Sequence, residues 1–360
     1  MKILYISPEH VSGTLSLFKA GHERRGDVCR YVTFWHSRWD FPDDICLNLP
    51  MMPDKSWVVE IRKLFHSLRP RNTSAERNGV RCWNPGWIER GLFRIRDACL
   101  RSRIESAIYT HRLDQFDIIH LDGGLDFSRD ARFVRKQAGA GKKIACFYHG
   151  SDLRERGVIP PVDDAVGLRL TSEWDLLEMD SRLRYLYLPF DESAYAERSY
   201  RFHSPLRIGH ASRNRFKGTA FVEAAVRRIA RDIPVELVLI RDMPHDQALR
   251  LKQECDIFVD QLTNEGGWGY GMSSVEALAM GMPVVTNIPK KMLERIGPHP
   301  FVQADTADVA DVLISLIRDE NHCRVLAAAG QKWVRERHDV NAVMDCLYRY
   351  YREVGWLPTN

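Results

Sequence analysis

Short apolar runs that end in a polar or glycine-containing turn recur along this chain, and helical stretches separate them. The first run, residues 2–7, leads through a turn at Gly13 into Leu15, Phe18 and His22, which share one helical face. Similar runs follow at residues 116–121, 143–148, 166–171, 184–188, 206–211, 235–240, 256–260 and 283–286. Apolar strands that alternate with helices are typical of a parallel sheet covered on both faces, so the sequence predicts an α/β fold.

The 360 residues are too many for one ordinary hydrophobic core, and the strand–helix pattern falls into two series. A polar connection at 191–205 separates them, so we predict an N-terminal domain at 1–190 and a C-terminal domain at 206–337. The segment 338–360 is predicted to be a helix that packs back on the first domain. We expect two Rossmann-like, doubly wound domains facing one cleft, since such sheets bind ligands where their strands end. Helices are predicted at 220–230, 246–254, 273–280, 309–318, 323–338 and 341–354.

The stretch from Gly266 to Val285 carries the strongest chemical signal, because a glycine-rich loop opens a helix there. Free backbone N–H groups and the positive end of the helix dipole can bind an anion such as a diphosphate. Glu276 lies one turn into that helix, where its carboxylate can accept hydrogen bonds from two ribose hydroxyls. A plain strand–loop–helix packing element with a solvated Glu276 explains the residues equally well on their own.

This stretch also resembles a known signature. Gly269-Tyr-Gly271 and Glu276-Ala-Leu-Ala-Met-Gly-Met-Pro-Val-Val285 are similar to the donor site of retaining, family-four glycosyltransferases, which have the GT-B fold. The resemblance assigns Glu276 to the ribose of a nucleotide sugar. It also implies a donor-binding set of Tyr270, Gly271, Met272 and Ser273.

Trp268 departs from the family pattern, because it stands where these enzymes have a glutamate that helps to hold the transferred sugar. Glu265 and Asp260 are the nearby carboxylates that could replace it. The identity of the sugar therefore stays open at this point.

A second match is Ile208-Gly-His-Ala-Ser-Arg-Asn-Arg-Phe-Lys-Gly-Thr219, which resembles the first strand and loop of the family's C-terminal domain. In the family an arginine and a lysine in this loop neutralise the departing diphosphate. The resemblance gives the lysine's role to Lys217 and the arginine's role to Arg213 or Arg215. A leaving group with about two negative charges needs fixed cations of this kind. A surface loop with three solvated cations is the alternative.

Two further loops resemble the family's N-terminal domain. Tyr148-His-Gly-Ser-Asp152 follows a strand, and the resemblance places His149 beside the donor sugar and Asp152 on the acceptor side. Gly13 occupies the first glycine-rich loop, where its backbone could approach the diphosphate or the acceptor. A structural hydrogen bond of His149 and a simple tight turn at Gly13 are the alternatives.

Several chemistries are disfavoured. The chain has no Asp-x-Asp pair for a metal-bridged diphosphate, so we expect neither a metal nor another cofactor. It also lacks a Gly-x-Gly-x-x-Gly, a Gly-x-Ser-x-Gly and a Walker A motif. The eight cysteines include no Cys-x-x-Cys pair, which favours a reducing, cytoplasmic location, and no run is apolar enough to span a membrane.

The segment 55–103 is basic and rich in aromatic residues, with twelve Lys or Arg against four Asp or Glu. Its first part has the pattern of an amphipathic helix that could lie on an anionic membrane at the inner face. A helix packed on the sheet is the alternative, and nucleic-acid binding is disfavoured because no motif accompanies the charge. The apolar face would comprise Trp57, Ile61, Leu64, Phe65 and Leu68, with Arg62, Lys63 and Arg69 beside it.

Together these features predict a metal-independent hexosyltransferase that moves a sugar from a nucleotide-diphosphate sugar to an acceptor with retention of configuration. The expected acceptor is a cell-surface or lipid-linked glycan, as in polysaccharide biosynthesis. A sugar-nucleotide epimerase of the same fold and a non-catalytic nucleotide-sugar-binding protein are the alternatives.

Overall fold

The computed structural model describes residues 1–50, 75–194, 200–212 and 215–358. The chain divides into two compact units. Unit 1 comprises Met1–Leu186 and Met344–Asn360, and unit 2 comprises Tyr187–Val343.

Unit 1 is built on a seven-stranded sheet in which every pairing is parallel. The strands of this unit are β1 (Lys2–Ser7), β2 (Val28–Thr33), β3 (Ile45–Cys46), β4 (Ala75–Arg77), β5 (Val80–Cys82), β6 (Ile118–Asp122), β7 (Lys143–Tyr148), β8 (Leu168–Thr171) and β9 (Leu183–Tyr185). The sheet order is β3-β2-β1-β6-β7-β8-β9. β4 and β5 form a separate antiparallel hairpin through Asn78 and Gly79, which both have the positive φ that a two-residue hairpin turn requires.

The central strands of this sheet are apolar on both faces because helices cover both sides. Ile3, Leu4 and Ile6 of β1 are fully buried. The first helix buries Leu15, Phe18 and His22, the three residues that the sequence places on one face. The helices of this part of the chain are α1 (Thr14–Glu23), α2 (Trp87–Thr110), α3 (Arg132–Gly139) and α4 (Pro160–Asp163).

Unit 2 contains a five-stranded sheet that is also parallel throughout. Its strands are β10 (Leu206–Ala211), β11 (Val235–Ile240), β12 (Ile257–Val259), β13 (Val284–Thr286) and β14 (Val302–Gln303), in the order β11-β10-β12-β13-β14. Its helices are α5 (Thr219–Ile229), α6 (His245–Gln253), α7 (Met272–Ala279), α8 (Lys290–Ile296), α9 (Val309–Arg318) and α10 (Glu320–Arg337). Tyr200, six residues before β10, is buried, and its hydroxyl donates to the Asp256 carbonyl oxygen at 2.7 Å.

The last helix, α11 (Val340–Glu353), supplies tyrosines to a buried polar network in unit 1. The Tyr351 hydroxyl lies 2.5 Å from His120 Nε2, and the Tyr348 hydroxyl lies 2.8 Å from His22 Nδ1. Tyr5 of β1 closes the network with its hydroxyl 3.0 Å from His22 Nε2. Helix and sheet are therefore joined by hydrogen bonds between groups that burial would otherwise leave unsatisfied.

The predicted fold class is confirmed, because both units are α/β with parallel, Rossmann-like sheets. Strands β2 and β3 were not predicted from the sequence, and they extend the first sheet on one side. The predicted amphipathic helix over residues 57–69 lies outside the described residues. All eight cysteines are free, and no helix in the described ranges is long and apolar enough to cross a membrane.

Candidate functional site

In unit 1, three polar side chains meet at the carboxyl ends of the neighbouring strands β1, β6 and β7. Ser7 ends β1, Asp122 ends β6, and His149 directly follows β7. The Ser7 hydroxyl donates to Asp122 Oδ2 at 2.5 Å, and His149 Nε2 lies 2.6 Å from Asp122 Oδ1. Asp122 therefore fixes the orientation of the predicted site residue His149 at the edge where parallel sheets bind ligands.

The Asp122 carboxylate also controls the charge of His149. Burial alone would lower the pKa of His149, but the negative charge and hydrogen bond of Asp122 raise it to about 9. Burial would likewise raise the pKa of Asp122, and the His149 cation keeps it lowered. The His149 side chain retains 38% of its surface, so solvent weakens this attraction without removing it. At neutral pH the pair consists of an imidazolium and a carboxylate.

Asp152, the second predicted residue of this loop, lies next to His149. Its Oδ2 accepts a hydrogen bond from the His149 backbone N–H at 3.3 Å, and its Oδ1 lies 3.6 Å from Arg156 Nη1. Gly123 follows β6 with a φ of 63°, and a Cβ atom there would lie 2.8 Å from Asp152 Oδ2. Glycine is therefore required at position 123 for both conformation and space. Burial raises the pKa of Asp152 despite the nearby Arg156.

Acidic residues after β8 hold the same loop from the other side. Glu173 Oε1 accepts a hydrogen bond from the Gly150 backbone N–H at 2.6 Å. Arg154 binds both oxygens of Asp175, at 2.6 and 2.8 Å, and also contacts Glu173. The His149–Asp152 loop is thus anchored at both ends by charge-assisted hydrogen bonds, which are about twice as strong as neutral ones.

Gly13 and His10 lie in the loop between β1 and α1. Gly13 has a φ of 71° and immediately precedes α1, and a Cβ atom there would lie 3.1 Å from the Phe41 ring. His10 is fully buried; its Nδ1 lies 2.9 Å from the Pro42 carbonyl oxygen, whereas its Nε2 has no hydrogen-bond partner among the described residues.

In unit 2, the buried carboxylate of Asp260 connects the basic loop to the glycine-rich loop. Its Oδ1 lies 2.5 Å from Lys217 Nζ. Its Oδ2 accepts hydrogen bonds from the Gly271 N–H at 3.1 Å and from the Ser274 hydroxyl at 2.6 Å. Burial would raise the pKa of Asp260, but the Lys217 cation and these hydrogen bonds lower it. Asp260 is fully buried and both of its oxygens are bound within the protein, so it holds the two loops and is not placed to bind a ligand.

Helix α7 begins immediately after this contact, at Met272. Met272 and Ser273 supply the first N–H groups of the helix, and a helix has no internal acceptors for these groups. Lys217, bound to the same carboxylate as Gly271, adds an ammonium group with three donors, of which Asp260 needs one. This combination of cation and helix start can bind an anion.

Glu276 is held by two basic side chains. Its Oε1 lies 3.0 Å from His245 Nε2, and its Oε2 accepts a hydrogen bond from Lys252 Nζ. Lys252 is only 2% exposed, lies over the Phe258 ring and forms a buried ion pair with Glu276. Burial would raise the pKa of Glu276, but the Lys252 cation lowers it. The carboxylate is therefore ionised and fixed, and each oxygen has a further lone pair for a hydroxyl donor.

Tyr270 belongs to an aromatic cluster. Its ring stacks on Phe301 with centroids 4.6 Å apart, meets Trp333 edge-on at 5.3 Å, and its hydroxyl lies 3.3 Å from His338 Nε2. These contacts fix the loop that carries Gly269, whose φ of 78° and close approach to Met292 exclude a side chain. The neighbouring Trp268 is partly buried.

The two predicted arginines precede Lys217 in the basic loop. Arg213 lies outside the described residues. Arg215 begins a single 3₁₀ turn that ends at Lys217, and Gly218, with a φ of 79°, then starts α5.

Comparison with solved structures places this architecture among known folds. HepE of Anabaena, solved in complex with UDP-glucose, superposes with a TM-score of 0.57 at 14% identity, over 98% of this chain and 100% of its own. TarM superposes with a TM-score of 0.58 at 10% identity, over 98% and 99%. A UDP-N-acetylglucosamine 2-epimerase gives 0.53 at 8% identity, over 100% and 98%. The fold is that of the GT-B glycosyltransferases. No protein-family model and no curated protein sequence matches the chain.

Within this GT-B fold, four residues that hold the site together were not predicted from the sequence: Asp122, Glu173, Lys252 and His245. Asp260 was named from the sequence only as a possible replacement for the sugar-holding glutamate, whereas in the structure it binds Lys217, Gly271 and Ser274. Asp122 and Asp260 had a readable signal, since each carboxylate stands at the end of an apolar strand. Lys252 and His245 had none, because a lysine and a histidine on α6 look like ordinary surface residues.

Among the described residues, one further group of potential metal ligands comes together. Atoms of His36, Asp43 and Cys46 lie within 4.8 Å of one another. The His36 Nδ1 hydrogen bond to Asp43 at 2.5 Å and the Thr33 hydroxyl bond to the same carboxylate at 3.0 Å account for the arrangement. We therefore assign no metal to it.

Proposed function

We propose that this chain is a retaining glycosyltransferase that moves a hexose from a nucleotide-diphosphate sugar to a glycan acceptor. The observation that carries the proposal is the buried Asp260, which binds both Lys217 and the start of α7. A cation fixed beside the free N–H groups of a helix is suited to a diphosphate leaving group. UDP-sugars are the first donors to test, because HepE and TarM of the same fold were solved with UDP.

The donor would bind to unit 2 through two contacts. The diphosphate would lie at Met272 and Ser273, with Lys217 and one of Arg213 and Arg215 neutralising its charge. The ribose hydroxyls would donate to Glu276, which Lys252 and His245 hold in its ionised form. No metal is needed in this proposal, because these cations and the helix dipole would supply the positive charge.

Unit 1 would serve the reacting sugar and the acceptor. The His149 imidazolium, fixed by Asp122, can donate a hydrogen bond to a sugar hydroxyl, and Asp152 can accept one from the acceptor side. The acceptor hydroxyl would attack on the face from which the diphosphate leaves, and a phosphate oxygen of the leaving group would take its proton. Most of the rate enhancement would come from positioning and charge stabilisation.

A donor panel tests the proposal directly. Thermal melting with UDP, GDP, TDP and ADP should identify one nucleotide diphosphate that raises Tm, and that nucleotide's sugars are then tested for turnover. Slow release of the nucleotide without acceptor, and faster release with glycan acceptors, is the expected result. NMR of the product's anomeric proton then decides between retention and inversion. If none of the four nucleotides raises Tm at millimolar concentration, the proposal is wrong.

Two other functions each have an observation in their favour. The epimerase of similar fold favours sugar-nucleotide epimerisation, in which the product is another sugar or nucleotide sugar without an acceptor. Trp268, in the place of a sugar-holding glutamate, favours a protein that binds nucleotide sugars without turnover. The panel separates the three functions, because only a transferase forms a glycosylated acceptor.

A further inference from the structure

A groove of about 860 Å³ lies in unit 1, along one side of α2. One wall consists of α2, and the other consists of the segment after β6 and the start of α3. All residues that line it belong to unit 1, and none of the predicted site residues is among them. We call it the α2–α3 groove.

The inner surface of the α2–α3 groove is aromatic and aliphatic. Phe127 and Phe133 meet edge-on with centroids 5.2 Å apart, and Trp83 meets Phe93 edge-on at 5.4 Å. Ile104 of α2 adds an aliphatic side chain to the same lining. Such a surface would bind an apolar body, since each Å² removed from water contributes about 25 cal/mol.

Arg129 lines this apolar groove, and two of its hydrogen-bond donors have no partner in the part of the chain that the structure describes. Its guanidinium lies 5.0 Å from the centroid of the Phe93 ring and 5.7 Å from that of Trp83. The residue as a whole is partly exposed, but its Nε and Nη1 atoms are inaccessible to solvent and have no hydrogen-bond partner within residues 1–50, 75–194, 200–212 and 215–358. Stacking on rings satisfies the guanidinium faces but not its N–H groups, and unmade hydrogen bonds of a buried charged group are costly.

The Asp97 carboxylate, whose charge attracts this guanidinium, does not satisfy its N–H groups. Asp97 of α2 accepts the Arg129 backbone N–H at 2.8 Å with one oxygen and binds Arg96 with the other. Burial, together with the charges of Arg96 and Arg156, lowers the pKa of Arg129 to about 9. An anion in the groove would accept the missing hydrogen bonds of Arg129 and stabilise its positive charge.

The charges around the groove also favour an anionic ligand. Six cationic side chains line it against four acidic ones, and Asp130 is already paired with Arg132 at 2.9 Å. The cations are Arg90, Arg94, Arg101, Arg129, Arg132 and Lys136.

The outer face of α2 is apolar where it borders the groove. Trp87 and Ile95 are 83% and 62% exposed, and Ile88 and Leu92 are also exposed. At 100° per residue these side chains occupy one uncharged face, with arginines on both edges. Ala98 lines the groove and lies at the border of that face. An apolar face flanked by arginines is typical of helices that contact anionic lipid.

We propose that the α2–α3 groove binds the phosphoryl group of an amphiphile, a lipid phosphate or diphosphate. The Arg129 guanidinium would turn toward the groove and donate to the phosphate oxygens, and the hydrocarbon would lie on the aromatic lining and the exposed face of α2. Identifying this ligand as the acceptor's lipid carrier rests on the proposed function, whereas the binding site itself does not.

Three probes test the site on the full-length protein by isothermal titration calorimetry. They are inorganic phosphate, decyl phosphate below its micelle concentration, and decyl glucoside as the uncharged amphiphile. We expect decyl phosphate to bind about tenfold or more tightly than either of the others, because only it has both the charge and the chain. Equal binding of decyl phosphate and decyl glucoside would overturn the phosphoryl part, and equal binding of decyl phosphate and phosphate would overturn the amphiphile part.

Two variants assign the binding to this groove. Arg129→Met should weaken decyl phosphate binding about tenfold or more, whereas Arg135→Met, an exposed arginine of α3 that does not line the groove, should leave it within about twofold. Ala98→Trp fills the groove from the solvent side without disturbing the core, so it remains informative if the Arg129 variant unfolds. Decyl phosphate affinity that survives Ala98→Trp would refute the site.

Vesicle binding tests whether the groove takes its ligand from a bilayer or from solution. If the wild type sediments with phosphatidylcholine vesicles that contain phosphatidic acid and Arg129→Met does not, the groove binds a lipid headgroup that is still in a bilayer. Binding of decyl phosphate without sedimentation would support a dispersed phosphorylated amphiphile in the same groove. Nucleotide binding is measured on each variant: if none of UDP, GDP, TDP and ADP binds while decyl phosphate binds, the proposed function is wrong and the groove stands.

Discussion

The carboxylate of Asp260 is fully buried and lies 2.5 Å from the ammonium group of Lys217. Through its second oxygen the same carboxylate holds the Gly271 N–H and the Ser274 hydroxyl. One acid at the end of β12 therefore determines the relative positions of the basic loop and the first turn of α7. Two sequence motifs that lie about fifty residues apart become one anion site by this contact.

Replacing Asp260 should lower the stability of unit 2 as a whole and not only disturb the anion site. In Asp260→Asn the Lys217 charge loses its partner, and a broken buried ion pair costs about 3 kcal/mol or more. The loss should lie at the low end, because Lys217 can reach solvent. Urea unfolding measures it, and Asp246→Asn on the exposed side of α6 is the control. An Asp260→Asn protein as stable as the wild type would contradict the role.

Replacing Lys217 should affect turnover more than nucleotide binding. Negative charge on the leaving diphosphate grows toward the transition state, so removing a fixed cation should lower kcat about 100-fold. Lys217→Met is compared with Lys332→Met, which removes a lysine that is 72% exposed. If kcat stays within about twofold while only KM rises, Lys217 is a binding contact and not part of the charge stabilisation.

Much of the fold could be predicted because parallel strands that are buried on both faces have readable sequences. The runs at 2–7, 143–148 and 206–211 become β1, β7 and β10 with the predicted bounds. Strand β2 was missed because Arg30 interrupts its apolar run, although Arg30 pairs with Asp44 at 2.7 Å and leaves the strand intact. That pairing depends on residues fourteen positions apart, which no local pattern contains.

The site was less predictable, because its geometry depends on contacts between distant residues. His149 and Glu276 stand in recognisable motifs, but their partners Asp122 and Lys252 lie 27 and 24 residues away. The basic, aromatic segment 55–103 indicated one wall of the α2–α3 groove, but Arg129 gave no signal, since it follows β6 in a loop like any other. Only the fold brings its guanidinium to the rings of Trp83 and Phe93.

Replacing Glu276 should weaken nucleotide binding. A ribose would lose two hydrogen bonds to a charged acceptor, each worth on the order of 1.5–3 kcal/mol. Glu276→Gln keeps the size of the side chain, and Glu294→Gln, exposed on α8, serves as the control. Titration calorimetry with the preferred nucleotide diphosphate gives the result. An unchanged Kd would exclude Glu276 from the ribose site.

Acid should destabilise unit 1 through His22. Burial lowers the pKa of His22 to about 3, so below its unfolded value of 6.5 the unfolded state takes up a proton that the folded state does not. The free energy of unfolding should therefore fall by about 1.4 kcal/mol per pH unit from this group between pH 6.5 and 3. His22→Gln should reduce that slope in urea unfolding at pH 6.5, 5.5 and 4.5. Identical slopes for the variant and the wild type would show that His22 is already charged.

The ion pair of His149 and Asp122 should stabilise unit 1 at low pH and lose this effect at high pH. The pKa of His149 is raised to about 9, so its contribution to stability is complete below pH 6.5 and is lost as the pH rises through 9. Asp122→Asn removes the charge that opposes burial, and the pKa of His149 should then fall by about 2 units or more. Ser7→Ala removes only a neutral hydrogen bond to Asp122 and should change it little.

NMR titration of the labelled imidazole measures this shift, and the pH dependence of kcat connects it to the reaction. If the imidazolium donates a hydrogen bond to the reacting sugar, turnover should decline above about pH 9 in the wild type. In Asp122→Asn the same decline should move to lower pH by the shift that NMR measures. A pKa that shifts without any movement of the pH–rate profile would leave His149 as a structural residue of the loop and remove it from the catalytic set.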